Sequence, residues 1–465
     1  MKNHAENRRK KKLKINVDTT LPMIHPDAAG IDIGHREHWC AVPGDRAAEP
    51  VRKFGTYTAD LEALADWLVG CAIKTVALES TGVYWIPVAQ ILERRGLEVR
   101  LVNARQAKNV SGRKSDVLDC QWLQRLHSYG LLNASFRPED QMCVLRSYLR
   151  YRDALVCARS LQCQHMQKAL QQMNVQLHQV LSDVTGASGL RIIGALLAGE
   201  RDVQKLAAMA DRRVRASQAT IQKAMRGDYR SEHLFVLQTA FELHQTYETK
   251  IQSCDEQLIA QMAQLPTHAN VEAQPLGARP AGRAASRDKV AGKDMRVELH
   301  RWTGADLTAV EGIGVLTAEV ILSEIGTDMN RWRTEKHFTS WLGLCPDHRI
   351  SGGKVLSRHT RHVVNRVADA LRMAAMTLQH SQTAVGAFYR RMRGKLGAAS
   401  AITATAHKLA RLVYRLLKHG EAYVRQGLEL YEQKHRQRQL QNLRKNAAAL
   451  GFELTQREGL APCVS

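Results

Sequence analysis

The stretch AAGIDIGHREHWCAVPG, Ala28–Gly44, holds two short β-patterned runs, AAGIDIG and HWCAVPG, on either side of a polar break. Runs of this kind and spacing predict the two strands of a hairpin. Asp32 stands between Ile31 and Ile33. Successive strand side chains point to opposite faces, so the acid faces away from the side that buries the isoleucines, or sits where a ligand offsets its burial. Beyond the hairpin, VRKFGTY predicts a third strand and LEALADWLVG a helix. TVALEST reads as a buried strand, VYWIPVAQILERRG as a helix ended by Gly96, and EVRLVNA as another strand, with a further helix after Ser115. The alternation predicts a mixed α/β domain over 26–138, with helices covering a sheet.

Glu79 follows three apolar residues in TVALEST, near the carboxyl end of its strand, where open α/β sheets collect their ligands. In SGRKSDVLDC, Ser111–Cys120, Asp116 and Asp119 open an apolar helix directly behind Arg113 and Lys114. Ser115 as a helix cap, with Asp116 in the first turn, accounts for Asp116 but not for Asp119. Positions three apart share a helix face, so the two carboxylates repel unless a cation lies between them, and a divalent metal is the obvious candidate. Each acid by itself also reads as a turn or solvated residue. Together, Asp32, Glu79, Asp116 and Asp119 lie on the first strand, a central strand and a helix beside the sheet, an arrangement that can bring all four to one edge.

At 465 residues the chain has room for two or three domains. Its 67 Lys and Arg against 45 Asp and Glu leave a net charge of +22. Such a surplus points to a polyanionic partner, nucleic acid first, with generic surface charge as the alternative. No apolar run approaches the roughly 20 residues that span a bilayer, so a soluble chain without membrane contact is expected. MKNHAENRRKKKLKI lacks the apolar core of a signal peptide and reads as part of a disordered, phosphate-touching arm over 1–25. The nine cysteines include no C-x-x-C pair, which fits a reduced cytoplasm and not a zinc site.

From Glu139 the pattern becomes helical. Met142, Leu145, Leu149, Val156, Met166, Leu170 and Met173 form one seam, and Leu237, Phe241, His244, Ile251, Leu258, Met262 and Leu265 another. They predict a coiled-coil-like helical arm over 139–265, with shorter helices between its halves, and a surface suited to dimerisation. Arg146, Arg150, Arg152, Arg159 and Lys168 decorate the first seam as solvated charge or nucleic-acid contacts. Residues 266–294, rich in Ala, Gly, Pro and Arg, read as a flexible linker. A second folded domain is expected over 295–420, followed by a basic helical tail over 421–465. Near its start, VEGIGVLTAEVILSEIG puts Gly312 and Gly314 in a tight turn before an apolar helix. That turn suits either a helix-hairpin-helix phosphate contact or a plain helix corner.

GIDIG, the LEST segment followed by Gly82, and SGRKSDVLD resemble the DEDD-type transposases of bacterial insertion sequences, the insertion-sequence 110 family. Their first domain is similar to the RuvC-type Holliday-junction resolvases. The resemblance continues through IIGALLAGERD, VEGIGVLTAEVILSEIG and SWLGLCPDHRISGGK, and leaves out only the N-terminal arm, the linker and the tail. It implies an α/β plus all-α architecture: an RNase-H-like mixed-sheet domain, a helical arm and a helical C-terminal transposase domain. It further implies that Asp32, Glu79, Asp116 and Asp119 bind Mg²⁺. Carboxylate oxygens are the hard ligands that Mg²⁺ prefers, and phosphodiester transfer needs such an ion to neutralise developing charge. Arg113 and Lys114 would then contact phosphates, or remain plain surface charge.

RISGGKVLSRHTRH, Arg349–His362, sets Ser351 before Gly352 and Gly353 among basic residues. Without context such a serine is a loop residue. The resemblance makes Ser351 the nucleophile that joins covalently to DNA, with glycines admitting a phosphate and Lys354, Arg358 and Arg361 steadying its charge. His359 and His362 read as phosphate contacts or as proton-transfer aids. Cys345 and His348 depart from the commonest family pattern. The expected protein is a DNA transposase with an active site composed from two domains, working as a homo-oligomer in a bacterial cytoplasm beside the nucleoid. The resemblance adds a structured guide RNA as partner. A metal-dependent junction endonuclease and a non-catalytic nucleic-acid-binding protein are the alternatives.

Overall fold

The structure, a computed structural model, describes residues 22–80, 82–103, 116–273, 276–277, 288–357, 359–361 and 363–455. Arg113, Lys114, Arg358 and His362 lie outside the described residues, as does most of the basic N-terminal arm, and of Asp116 only the backbone is described. The chain divides into two compact units, Met1–Arg137 and Pro138–Ser465.

The first unit is built on a five-stranded sheet. β1 (Ala28–Ile33), β2 (Glu37–Ala41) and β3 (Val51–Gly55) form an antiparallel meander. After helix α1 (Thr58–Gly70), strand β4 (Thr75–Glu79) joins β1 in parallel on its other side. Helix α2 (Trp85–Arg94) then leads to β5 (Glu98–Val102), parallel to β4, and the strand order becomes β3-β2-β1-β4-β5. This is the RNase-H-like mixed sheet that the resemblance implied. Alternation sorts the side chains as the sequence required. Ile31, Ile33, Val76 and Leu78 pack with α1 and α2 in one core. Ala77 and Val102 face the opposite side and pack with Leu123 of helix α3 (Asp116–Ser128).

The second unit begins with two 33-residue helices, α4 (Asp140–Gln172) and α9 (Ser231–Ala263). They run antiparallel, as the crossed pairs Arg152 with Asp255 and Arg159 with Glu248 require. Leu155, Ile251 and Cys254 are buried along the shaft. Four short helices lie between its halves: α5 (Leu177–Val180), α6 (Ala187–Leu197), α7 (Val203–Ala208) and α8 (Gln218–Ala224). They close a separate core at the tip with Met166, Leu170 and Leu237 of the shaft.

Part of the segment read as a flexible linker is fixed. Strand β6 (Lys289–Val290) pairs with β7 (Lys293–Asp294), which leads into helix α10 (Met295–Thr303). Arg301 on α10 donates to the carbonyls of Met262 and Leu265 and to Thr267. The rest is α11 (Val315–Ile325), α12 (Glu335–Trp341), α13 (Arg366–Thr377), α14 (Ala384–Leu396), α15 (Ala398–His419) and α16 (Glu421–Ala449), with a second small hairpin of β8 (Arg349–Ser351) and β9 (Lys354–Ser357). No helix among the described residues is long and apolar enough to cross a membrane.

Candidate active site

Asp32 and Glu79 end up side by side. The parallel register of β1 and β4 matches Ala28 with Thr75 and continues to Ile31 with Leu78, so the next residues, Asp32 and Glu79, are neighbours at the carboxyl ends of adjacent strands. Neighbouring strands lie about 4.8 Å apart, and residues in parallel register point to the same face. That face carries Gly30 and Ala77, two residues earlier on each strand, and it is the face that α3 covers.

α3 runs antiparallel to β1. Gln124 donates to the carbonyl of Ala28 and His127 hydrogen-bonds Thr75 Oγ1, both at the starts of the strands. Cys120 and Gln124 cross directly over Gly30, where an added Cβ would stand 2.4 Å from the Gln124 nitrogen and 2.7 Å from the Cys120 oxygen. The N-terminal half of α3, with Asp116 and Asp119, therefore lies toward the strand ends that carry Asp32 and Glu79. The Cys120 thiol reports the same neighbourhood: burial and the nearby Asp32 and Asp119 carboxylates push its pKa up to about 12. Asp32 and Glu79 are half-buried and Asp119 is exposed. All the donors are carboxylate oxygens, the set that suits a hard divalent cation. Among the described residues, which exclude the Asp116 side chain, no three His, Cys, Asp or Glu groups converge as ligands.

Ser351 closes β8, opposite Lys354 across a two-residue turn. Gly352 and Gly353 have φ of 54° and 77°, the left-handed pair that a type I′ hairpin demands and that glycine adopts without strain. The serine thus stands on a strand end and not in an irregular loop. Ser351 and Lys354 share one face of the hairpin, Ile350 and Val355 the other, and all four are exposed. The base of the hairpin is held by a Pro346–Thr360 bridge, by Asp347 N–H donating to the His359 carbonyl at 2.8 Å, and by Arg361 donating to the Ser340 carbonyl at 2.9 Å. Cys345, one of the two departures from the family pattern, lies 3.3 Å from Thr339 Oγ1 beneath it.

Gly312 has a φ of 85°, and an added Cβ would meet the Ala374 oxygen at 3.0 Å. Gly314 precedes α11 in extended conformation. Close packing of this corner on α13 therefore explains Gly312 without a ligand. The shaft arginines are engaged in ion pairs, Arg146 and Arg150 with Glu324, Arg152 with Asp255 and Arg159 with Glu248. One group escaped the sequence reading. Glu319 on α11 is 5% exposed, its Oε1 has no hydrogen-bond partner among the described residues, and it lines a cavity of about 150 Å³ with Arg152, Asp153 and Arg366. Burial lifts its pKa to about 7 against the pull of Arg152. Its signal in the sequence is an acid set directly between apolar residues, Ala318 before it and Val320, Ile321 and Leu322 after it.

Residues 29–175 match a family profile described as a transposase, and residues 305–390 match one described as the transposase IS116/IS110/IS902 family. No curated protein matches the chain.

Proposed function

The chain belongs to the transposases of the IS116/IS110/IS902 family, enzymes that cut and rejoin DNA, and on that premise we propose that it works through carboxylate-held Mg²⁺ and a serine nucleophile. Asp32, Glu79, Asp116 and Asp119 are the ligands in this reading. It is carried by the in-register placement of Asp32 and Glu79 at one sheet edge, under a helix that turns its acidic end toward them. Mg²⁺ bound there would neutralise charge developing on a phosphodiester and orient its oxygens.

Ser351 Oγ attacks the phosphorus, the bond from phosphorus to the leaving sugar oxygen breaks, and the serine proton ends on that sugar hydroxyl. The resulting ester between chain and DNA keeps the energy of the original linkage. A second sugar hydroxyl can then displace Ser351 and return its proton to the serine, so strands are exchanged without net hydrolysis. Lys354, opposite Ser351 in the hairpin, balances the phosphate charge, helped by Arg358 and Arg361. Arg113 and Lys114 serve as contacts to the DNA backbone, and His359 and His362 as phosphate contacts. Residues 26–138 form the catalytic domain, 139–265 the arm and 295–420 the serine-bearing domain. The excess of basic residues supports a structured guide RNA beside the DNA, acting on a homo-oligomer.

The test uses purified protein, Mg²⁺, DNA from the element's flanks and any transcript of the adjacent non-coding DNA. After a detergent quench, a denaturing gel should show DNA joined to protein in the wild type and none in Ser351→Ala or Asp116→Ala. Cleaved DNA without adduct, indifferent to Ser351→Ala, would sink the serine step and leave a metal-dependent nuclease. No cleavage at all with metal and guide present would favour a binding-only protein.

A further inference from the structure

The arm presents its positive charge in two different states. Along the shaft, Arg146, Arg150, Arg152 and Arg159 are held by acids of neighbouring helices. At the tip, the chain from Arg212 to Arg226 carries five basic side chains and no acidic one. Arg213 pairs with Asp211. Arg212, Arg215, Lys223 and Arg226 are exposed, and none makes a side-chain hydrogen bond or ion pair among the described residues. The tip lies between the two segments that match the transposase family, so nothing in that match accounts for it.

The platform beneath these charges is well packed. Leu206, Ile221 and Met225 are buried in the tip core, and Ser217 caps α8 by accepting from the Thr220 N–H. The seven residues of α8 span about 10 Å. The basic residues before and after it thus cover about three phosphates of one DNA strand measured along the helix axis. Tyr229 is the only Phe, Tyr or Trp between 176 and 230. It lies under Arg201, 4.3 Å from guanidinium to ring centroid, with its hydroxyl donated to the Met225 carbonyl. The segment that carries the charge therefore offers no open ring, and open rings are what single strands stack upon; the exposed Phe235 stands apart from it, on the shaft helix α9.

We propose that the arm tip is a sequence-neutral clamp on the phosphate backbone of duplex DNA, formed by Arg212, Arg215, Lys223 and Arg226. The shaft helices of 33 residues set it about 50 Å from the base of the arm. The assignment rests on the chain acting on DNA and is independent of the serine step.

The experiment is fluorescence anisotropy of the full chain with a random-sequence DNA duplex, a single DNA strand and an RNA stem-loop of equal phosphate number, over a salt series. One variant changes the four residues to Ala, a second changes them to Glu, and each is checked for an unchanged melting temperature. Duplex affinity should fall at least about tenfold in the Ala variant and further in the Glu variant. The slope of log affinity against log salt should flatten by about 0.9 for each phosphate that is no longer neutralised. Wild-type affinity and slope in both variants would overturn the clamp. A loss confined to the RNA stem-loop, or to the single strand, would overturn its assignment to duplex DNA. Tip-dependent duplex binding in a chain that forms no serine adduct would uphold the clamp while the serine mechanism fell.

Discussion

At the scale of single residues, Gly30 does as much for the proposed metal site as the acids themselves. It removes the Cβ that would otherwise strike the backbone of α3 and so fixes how close the helix comes to β1. Gly30→Ala should cost about 3 kcal/mol, the upper range for overpacking, because backbone atoms cannot rotate away. A lowered urea midpoint at unchanged slope would check this, and a variant as stable as the wild type would show that α3 lies further from the strand. The facing of Asp32 was legible from alternation, since an acid between two buried isoleucines turns to the other face, and Glu79 stood out by its place near the carboxyl end of its strand. What the sequence did not display was which residue of β1 stands beside which of β4; that is a long-range register, set by packing between segments more than forty residues apart. Gly30 was invisible for the same reason, because its demand comes from a helix some ninety residues later.

At the scale of elements, the two long helices were readable from their period, but the surroundings of the charges on them were not. Arg152 and Arg159 look alike in sequence and differ in surroundings. Arg152 meets Asp255 where both side chains are mostly buried, at 19% and 12% exposure, whereas Glu248, the partner of Arg159, is 59% exposed. Arg152→Ala should therefore cost about 3–5 kcal/mol, because it strands Asp255 and removes the cation nearest Glu319. Arg159→Ala should cost less than about 1 kcal/mol. Equal losses in thermal denaturation would contradict the contrast. Glu319 makes the second prediction at this scale. Its folded pKa of about 7 lies above the ordinary carboxylate value of 4.5. The unfolded chain thus releases the proton first, and the contribution of Glu319 to stability, fully present below the ordinary value, is lost as pH rises through about 7. Glu319→Gln should be the more stable protein above neutrality, by about 3 kcal/mol, and the gap should close toward acid pH. A gap independent of pH would mean that the buried carboxyl does not titrate in this window.

At the scale of the whole molecule, the net charge of +22 implies DNA affinity dominated by counterion release. With six or more phosphates neutralised, affinity should fall by about a thousandfold or more between low and moderate salt, and a flat salt series would rule out such a footprint. Composition announced this partner from the outset, yet it could not say where the charge is spent, because pairing within the fold silences some arginines and leaves others open. The arm also has an architectural consequence. Its helices enter and leave the tip at one place, where the Asp228 N–H donates to the Met173 carbonyl at 2.8 Å and the Gln176 N–H to that of Ala224 at 2.9 Å. A segment whose two ends meet in this way is a cassette: it can be lifted out, lengthened or exchanged for a foreign module while the shaft below keeps its register, provided that Met166, Leu170 and Leu237 receive a new cover.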